Sequence, residues 1–181
     1  TFEEGAPDDI GDGPPGTPTS IRRMQELLAA HPHYAEVVMP YIGGEEVNSS
    51  PTHAHRRYVI NFGDRSEEEC RERYPNLMAI VEAKVRPERL LNNREGYRRY
   101  WWHFGEKRAD LRAAIAGLDR VLVLSLVTQH VSFTFLPAGM VYSHKLAVFP
   151  FSFYPQFASV QSRIHELWGR FFSSTLEDRL N

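Results

Sequence analysis

Short apolar runs, each closed by a turn or a polar cluster, set the rhythm of this chain. Val37-Val38-Met39-Pro40-Tyr41-Ile42 reads as a strand ending at Gly43-Gly44, and Tyr58-Val59-Ile60-Asn61-Phe62 as a second. Val121-Leu122-Val123-Leu124 and Val131 to Leu136 read as neighbouring strands. After the turn Pro137-Ala138-Gly139, Met140-Val141-Tyr142 and Leu146-Ala147-Val148-Phe149 complete a meander of roughly three or four strands. Helical spacing alternates with these runs. Thr19-Ser20 offers an N-cap for a helix with Ile21, Met24, Leu27 and Leu28 on one stripe. Ser66-Glu67-Glu68-Glu69 forms a capping box, opening a helix that Pro75 interrupts and that Leu77, Ile80, Val81 and Val85 continue. Leu111 to Leu118 spells a short helix closed near Gly117. Phe157 to Phe172 is amphipathic, with Phe157, Val160, Ile164, Leu167, Trp168 and Phe171 expected on the buried side. Residues 1–20 interleave Gly5, Gly11, Gly13 and Gly16 with Pro7, Pro14, Pro15 and Pro18, the composition of a linker or an ordered arm. The mixture predicts an α+β fold, a mostly antiparallel meander sheet with flanking helices, as a single domain over residues 21–181.

Composition bounds this picture more than it changes it. The 181 residues are 42% apolar, with 11 Phe, 8 Tyr and 3 Trp, enough for a sizeable core in one domain. Cys70 stands alone, so no disulfide forms within the chain, which fits a reducing compartment such as the cytoplasm. No run of about 18 apolar residues exists, so neither a membrane-spanning helix nor a membrane partner is expected. The acidic, Pro/Gly-rich start is unlike a signal peptide, and the absence of an initiator Met points to a piece of a longer chain.

Charge does change the picture. The net charge of −2 argues against a polyanionic partner until its distribution is read. Five acids (Glu3, Glu4, Asp8, Asp9 and Asp12) sit in residues 1–13, where there is no base. Between Lys84 and Arg112, nine bases face four acids, a candidate phosphate-facing surface or else a solvated helical face.

Two polar stretches carry the candidate chemistry: Asn48 to Phe62 and Ser125 to Leu136. Both set hydrogen-bonding side chains beside short apolar runs, as a surface reading base edges and phosphates would. Asp64, Glu82 and Lys84 have the order of carboxylate, carboxylate and lysine found in Mg-dependent nucleases, but Glu82 and Lys84 fall in helical periodicity where that chemistry wants a strand. His31/His33 and His53/His55 are paired two apart, without the further ligands of a zinc site. Cys70 lies in an acidic helix that disfavours a thiolate. No nucleophile elbow, P-loop or dinucleotide fingerprint is present, nor the Asn/Asp-Pro-Pro-aromatic motif and Gly-rich cofactor loop of an adenine methyltransferase. Tyr100-Trp101-Trp102 suits core anchoring more than base stacking. Trp168 is likewise expected in the core.

A set of segments, in order, resembles the target recognition domain of MmeI-like type IIL (type IIG) restriction–modification enzymes and related adenine-specific DNA methyltransferases. They run from Pro40-Tyr41-Ile42-Gly43-Gly44-Glu45-Glu46-Val47-Asn48 through Arg57-Tyr58-Val59-Ile60-Asn61-Phe62, Tyr74-Pro75-Asn76-Leu77 and Val85-Arg86-Pro87-Glu88-Arg89. They continue with Trp101-Trp102, Arg120-Val121-Leu122-Val123, Phe133 to Gly139, Phe149-Pro150-Phe151, and Gln161-Ser162-Arg163 with His165-Glu166 and Trp168. The resemblance implies a C-terminal portion of a longer enzyme that binds double-stranded DNA. The methyltransferase domain of the same parent chain would use S-adenosylmethionine, and a nuclease domain would use Mg. The fragment itself would have no catalytic residues, metal or cofactor. Leu126 stands where such domains often carry Arg.

Base-reading positions vary within the family, so they are argued from chemistry. Gln129 can donate and accept together at an adenine edge, and Arg56 or Arg57 can fork onto guanine. His130, Ser132, Ser143, His144 and Lys145 lie at expected strand ends or turns, and Asn48, Ser49 and Thr52 are loop donors. Lys107, Arg108 and Arg112 suit phosphates. Two other classes remain open at this point: a standalone Mg-dependent nuclease on Asp64, Glu82 and Lys84, and a protein-docking module of a methyltransferase complex.

Overall fold

The computed structural model of the chain describes residues 1–8, 16–105, 108–128 and 130–172, and the backbone of 175–176 and 179–180. The elements run β1 (Phe2–Glu3), β2 (Thr19–Ser20), α1 (Ile21–Ala30), a 3₁₀ turn at Pro32–Glu36, β3 (Val38–Ile42), α2 (Gly44–Ser49) and β4 (Arg57–Ile60). Then follow α3 (Glu67–Arg73), α4 (Pro75–Lys84), α5 (Arg86–Leu90), α6 (Glu95–Arg99), α7 (Ala109–Ile115), β5 (Arg120–Ser125) and β6 (Phe133–Pro137). The chain closes with β7 (Val141–Tyr142), β8 (Leu146–Phe149), α8 (Tyr154–Val160), α9 (Arg163–Phe172), β9 (Thr175–Leu176) and β10 (Arg179–Leu180). The α+β expectation holds. Among the described residues no helix is long and apolar enough to cross a membrane.

The chain folds as two compact units, one of Thr1–Pro40 and Arg56–Lys107, the other of Tyr41–His55 and Arg108–Asn181. In the first, β1 pairs in parallel with β2 and antiparallel with β4, placing Phe2 opposite both Thr19 and Tyr58. The described part of the N-terminal segment is thus an ordered arm. Phe2 is fully buried in the core, worth about 1.5–3 kcal/mol of transfer free energy. The core continues through Met24 and Leu27 of α1, Tyr34, Phe62, Cys70, Tyr74, the inward face of α4 and the Trp101-Trp102 pair. The two caps read from sequence are present: Ser20 Oγ accepts from the Arg23 N–H at 3.1 Å, and Ser66 Oγ from the Glu69 N–H at 3.1 Å. The Trp pair anchors as expected, since the Trp102 indole donates to Arg65 O at 3.0 Å.

Cys70 is buried, and desolvation followed by the Glu69 carboxylate pushes its thiol up from 9.0 to about 11. A raised thiol value contributes stability that is whole below pH 9.0 and lost as pH climbs through about 11. At pH 8, alkylation of the folded protein is expected to be about a hundredfold slower than in urea; comparable rates in both would contradict the burial.

The second unit is built on β5. β6 and β8 pair antiparallel with it on opposite sides, Val121 facing Leu136 and Val123 facing both Thr134 and Val148. The expected meander is corrected here: β8 returns to β5, while β7 pairs in parallel with the end of β3, Tyr41 beside Val141 and Ile42 beside Tyr142. The core holds Ile42, Val47, Ile115, Val121, Val123, Leu136, Met140 and Leu146. Gly117, at φ +82, lies just beyond the C-terminal end of α7, where a left-handed residue needs no Cβ. A second correction concerns α9. Its apolar stripe is not buried: Ile164 is 81%, Trp168 62% and Phe171 81% exposed. The spacing is helical as expected, but among the described residues no element covers this face.

Candidate nucleic-acid interface

In the second unit a cleft of about 630 Å³ opens between the end of α2 and the segment after β5. Its lining is Val47, Asn48, His53, Val127, Thr128, His130, Ser132 and Thr134. Hydroxyls, an amide and two imidazoles supply the polar surface, and no Lys, Arg, Asp or Glu lines it among the described residues. A neutral lining rich in donors and acceptors is suited to reading a ligand's edge rather than to neutralising a phosphate.

The walls are fixed by specific bonds. Asn48 Nδ2 donates to Ser125 Oγ at 3.2 Å and to Val127 O at 3.1 Å, tying α2 to the end of β5. The fit at position 44 is tight: a Cβ there would lie 3.0 Å from Ser125 Oγ, which would have to shift by a few tenths of an ångström. Thr128 Oγ1 donates to His130 O at 2.9 Å and accepts from His130 N–H at 3.2 Å, curling the loop on itself. From α8's C-terminal end Gln161 clamps the start of β6, accepting from Phe133 N–H at 2.8 Å and donating to Val131 O at 3.2 Å. Leu126 N–H donates to Lys145 O at 2.8 Å, while the Leu126 side chain is half exposed. Opposite that loop, His53 has φ 49, the left-handed region, and its buried Nδ1 has no partner among the described residues.

Of the residues predicted from sequence, Asn48, His130 and Ser132 meet in this cleft. Asn48 has its donor spent on the scaffold, so its part is partly structural. Ser49 and Thr52 are exposed on the α2 side, with Ser50 Oγ 3.3 Å from Thr52 Oγ1. Ser143 is corrected: it is buried, and its hydroxyl accepts from Lys145 N–H at 3.2 Å inside the turn before β8. His144 and Lys145 are exposed in that turn. Arg108, with φ 41, starts α7, and Arg112 is exposed on it. Arg56, exposed, and Arg57, partly buried at the start of β4, belong to the first unit. Gln129 and Lys107 lie outside the described residues. Sequence reasoning missed His53, Thr128 and Thr134 as lining residues. Alternation along β6 was the available signal for Thr134; nothing in the sequence marks the left-handed turn at His53.

Two of the three residues of the nuclease arrangement, Glu82 and Lys84, lie on a helix and are held in other contacts. Glu82 sits on α4, where its carboxylate accepts from Arg71 at 2.9 Å and also pairs with Arg86; Arg71 first, then the Arg86 charge, hold it below the usual carboxylate range. Lys84 is buried, and its Nζ donates to Pro18 O at 3.3 Å. Glu82 and Lys84 are thus committed to the scaffold. His33 is committed as well, its Nε2 donating to Arg73 O at 2.8 Å. Among the described residues no group of three potential metal ligands forms.

The fold has a counterpart among solved structures. Among solved structures it is similar to the type IIL enzyme MmeI in complex with DNA, with a TM-score of 0.61 and 15% identity, over 88% of this chain and 20% of that one. The present chain therefore spans 20% of that protein's length. No protein-family model and no curated protein sequence matches it.

Proposed function

We propose that this chain is the DNA target recognition portion of a larger restriction–modification enzyme, directing N6-adenine methylation, and cleavage where a nuclease is present, by catalytic domains outside it. The observation that carries this reading is the fold likeness over 88% of the chain to an enzyme described in complex with DNA. The neutral cleft of the second unit supports it, because base discrimination needs positioned donors and acceptors without a dominant charge. In this reading S-adenosylmethionine and Mg belong to the parent's other domains, and the site of action is the cytoplasm, where the DNA is. A docking role on the methyltransferase is a second reading, favoured by the exposed apolar face of α9.

Duplex binding at graded salt separates the two. A DNA reader is expected to lose affinity linearly on a logarithmic salt scale, whereas a flat dependence, or no binding at low salt, supports docking alone. Within the DNA reading, Gln129→Ala is expected to cost about 1–3 kcal/mol for the preferred base pair and to relax discrimination there. Lys107→Ala is expected to weaken all duplexes alike and lower the salt slope by about 1. Identical behaviour of the two variants would remove the division into reading and anchoring residues.

A further inference from the structure

The first unit carries a different cleft, of about 400 Å³, whose lining includes Arg89, Arg94, Tyr97, Tyr100, His103 and Gly105. Arg89 closes α5 and holds its guanidinium 4.4 Å from the Tyr97 ring centroid; Arg94, just before α6, lies 5.8 Å from the same ring. One aromatic ring thus holds two cations. Three other arginines of this unit are neutralised: Arg71 by Glu67 and Glu82, Arg73 by Glu36 and Glu69, Arg86 by Glu82. Arg89 and Arg94 have no carboxylate partner among the described residues. Gly105 lies beside Arg89, where a Cβ would make an ordinary contact at 3.6 Å from a guanidinium nitrogen.

His103 adds an independent sign of a ligand. It is 8% exposed, and its ring stacks on Tyr100 with centroids 5.4 Å apart and planes within 5°. Its Nε2 lies 2.9 Å from Arg65 O. A carbonyl only accepts, so Nε2 carries the hydrogen. In the neutral ring Nδ1 is then an acceptor; it is buried and has no partner among the described residues. Buried polar atoms of this kind are uncommon in folded proteins, and each one calls for an explanation.

We propose that this cleft is a second nucleic-acid contact, taking a phosphate of the DNA backbone on Arg89 and Arg94. A water or an amino group carried in with the strand donates to His103 Nδ1. The inference rests on the DNA-binding reading and adds a site to it. A polymer suits the site better than a single anion, because Arg98 and Arg99 on α6, outside the lining, extend the cations beyond it, Arg99 lying 5.5 Å from the Tyr100 centroid. A guanidinium held against a ring keeps its charge while losing freedom, which lowers the entropy cost of engaging a phosphate oxygen.

The test is duplex affinity of the full chain across a range of salt, for wild type and Arg89→Ala/Arg94→Ala, with thermal melting as the folding control. Loss of about tenfold or more in affinity for every sequence, a salt slope smaller by about 1–2, and unchanged sequence preference are expected. If the double variant melts early, Arg94→Gln, at an exposed position, carries the same test with a slope change of about 1. An unchanged slope in a folded variant, with the wild type binding in a salt-dependent way, overturns the cleft while leaving the DNA reading intact. A wild type that binds no duplex overturns both. Inorganic phosphate bound in an Arg94-dependent manner, with duplex binding indifferent to the variant, assigns the cleft to a free phosphate and rejects the backbone contact.

Discussion

Alanine in place of Tyr74 is expected to lower the stability of the first unit by about 3–5 kcal/mol. The side chain is fully buried, 5.8 Å from the ring of Tyr34 and 5.9 Å from that of Phe62, centroid to centroid. Arg65 and Arg73 lie 5.6 and 5.4 Å from its centroid, and its hydroxyl donates to Glu36 at 2.9 Å. Most of the loss belongs to the ring: its transfer free energy and the cavity left among groups that cannot collapse onto it. Tyr74→Phe isolates the hydroxyl and is expected to cost only about 0.5–1.5 kcal/mol, because Glu36 keeps its ion pair with Arg73. Urea unfolding followed through Trp101 and Trp102, both buried in this unit, measures the two variants side by side. Equal losses would mean that the ring contributes no packing and would discard the account.

Leu136→Ala is expected to cost the second unit about 2–5 kcal/mol. Leu136 is 2% exposed and stands directly across the ladder from Val121, which is fully buried. Its removal takes a filled position from the centre of a small core. Amide exchange in β5, β6 and β8 should accelerate, and the loop wall holding Thr128 and His130 should loosen, since β6 begins where that wall ends. Unchanged protection across β5 and β6 would show that the packing at this position is not what holds the sheet.

Local codes were the readable part of this fold. Ser20 and Ser66 announce helix starts because a hydroxyl three residues before a free N–H is enough to satisfy it, whatever the rest of the chain does. Val121 to Leu124 and Phe133 to Leu136 announce a pair because both runs are apolar and a short link joins them. Partnership at longer range was not readable. The run Leu146–Phe149 has the same composition whether it lies beside β7 or β5, and only the assembled core selects β5. The stripe on α9 illustrates the same gap. Helical spacing of Ile164, Leu167, Trp168 and Phe171 fixes that they share a face but says nothing about what meets it. Nor does composition mark the division into two cores, since both are made of the same residue types.

The candidate site divides in the same way. The polar content of Asn48 and of Ser125 to Thr134 was visible, and the structure gathers much of it into one cleft. Ser143 was misplaced because a turn serine that bonds its own backbone has the same surroundings in sequence as one that faces a ligand. Arg89 and Arg94 were visible only as part of a basic stretch. Their distinction from Arg86, which pairs with Glu82, depends on which acids the helices bring near, a three-dimensional fact.

The second unit is not a continuous stretch of chain. Residues Tyr41–His55 contribute α2 and one wall of the cleft lined by Asn48 and His130, and the other wall comes from beyond Arg108. Exchange of this cleft with that of a similar chain therefore cannot use one crossover point. A splice at position 107 or 108 would set a foreign β5 against the resident Asn48 and Gly44, whose fit to Ser125 is within 3.2 Å on one side and 3.0 Å from a Cβ on the other. The two segments have to be transplanted together. For the same reason, substitutions in the short Tyr41–His55 insert and in the loop after β5 are expected to behave as epistatic partners.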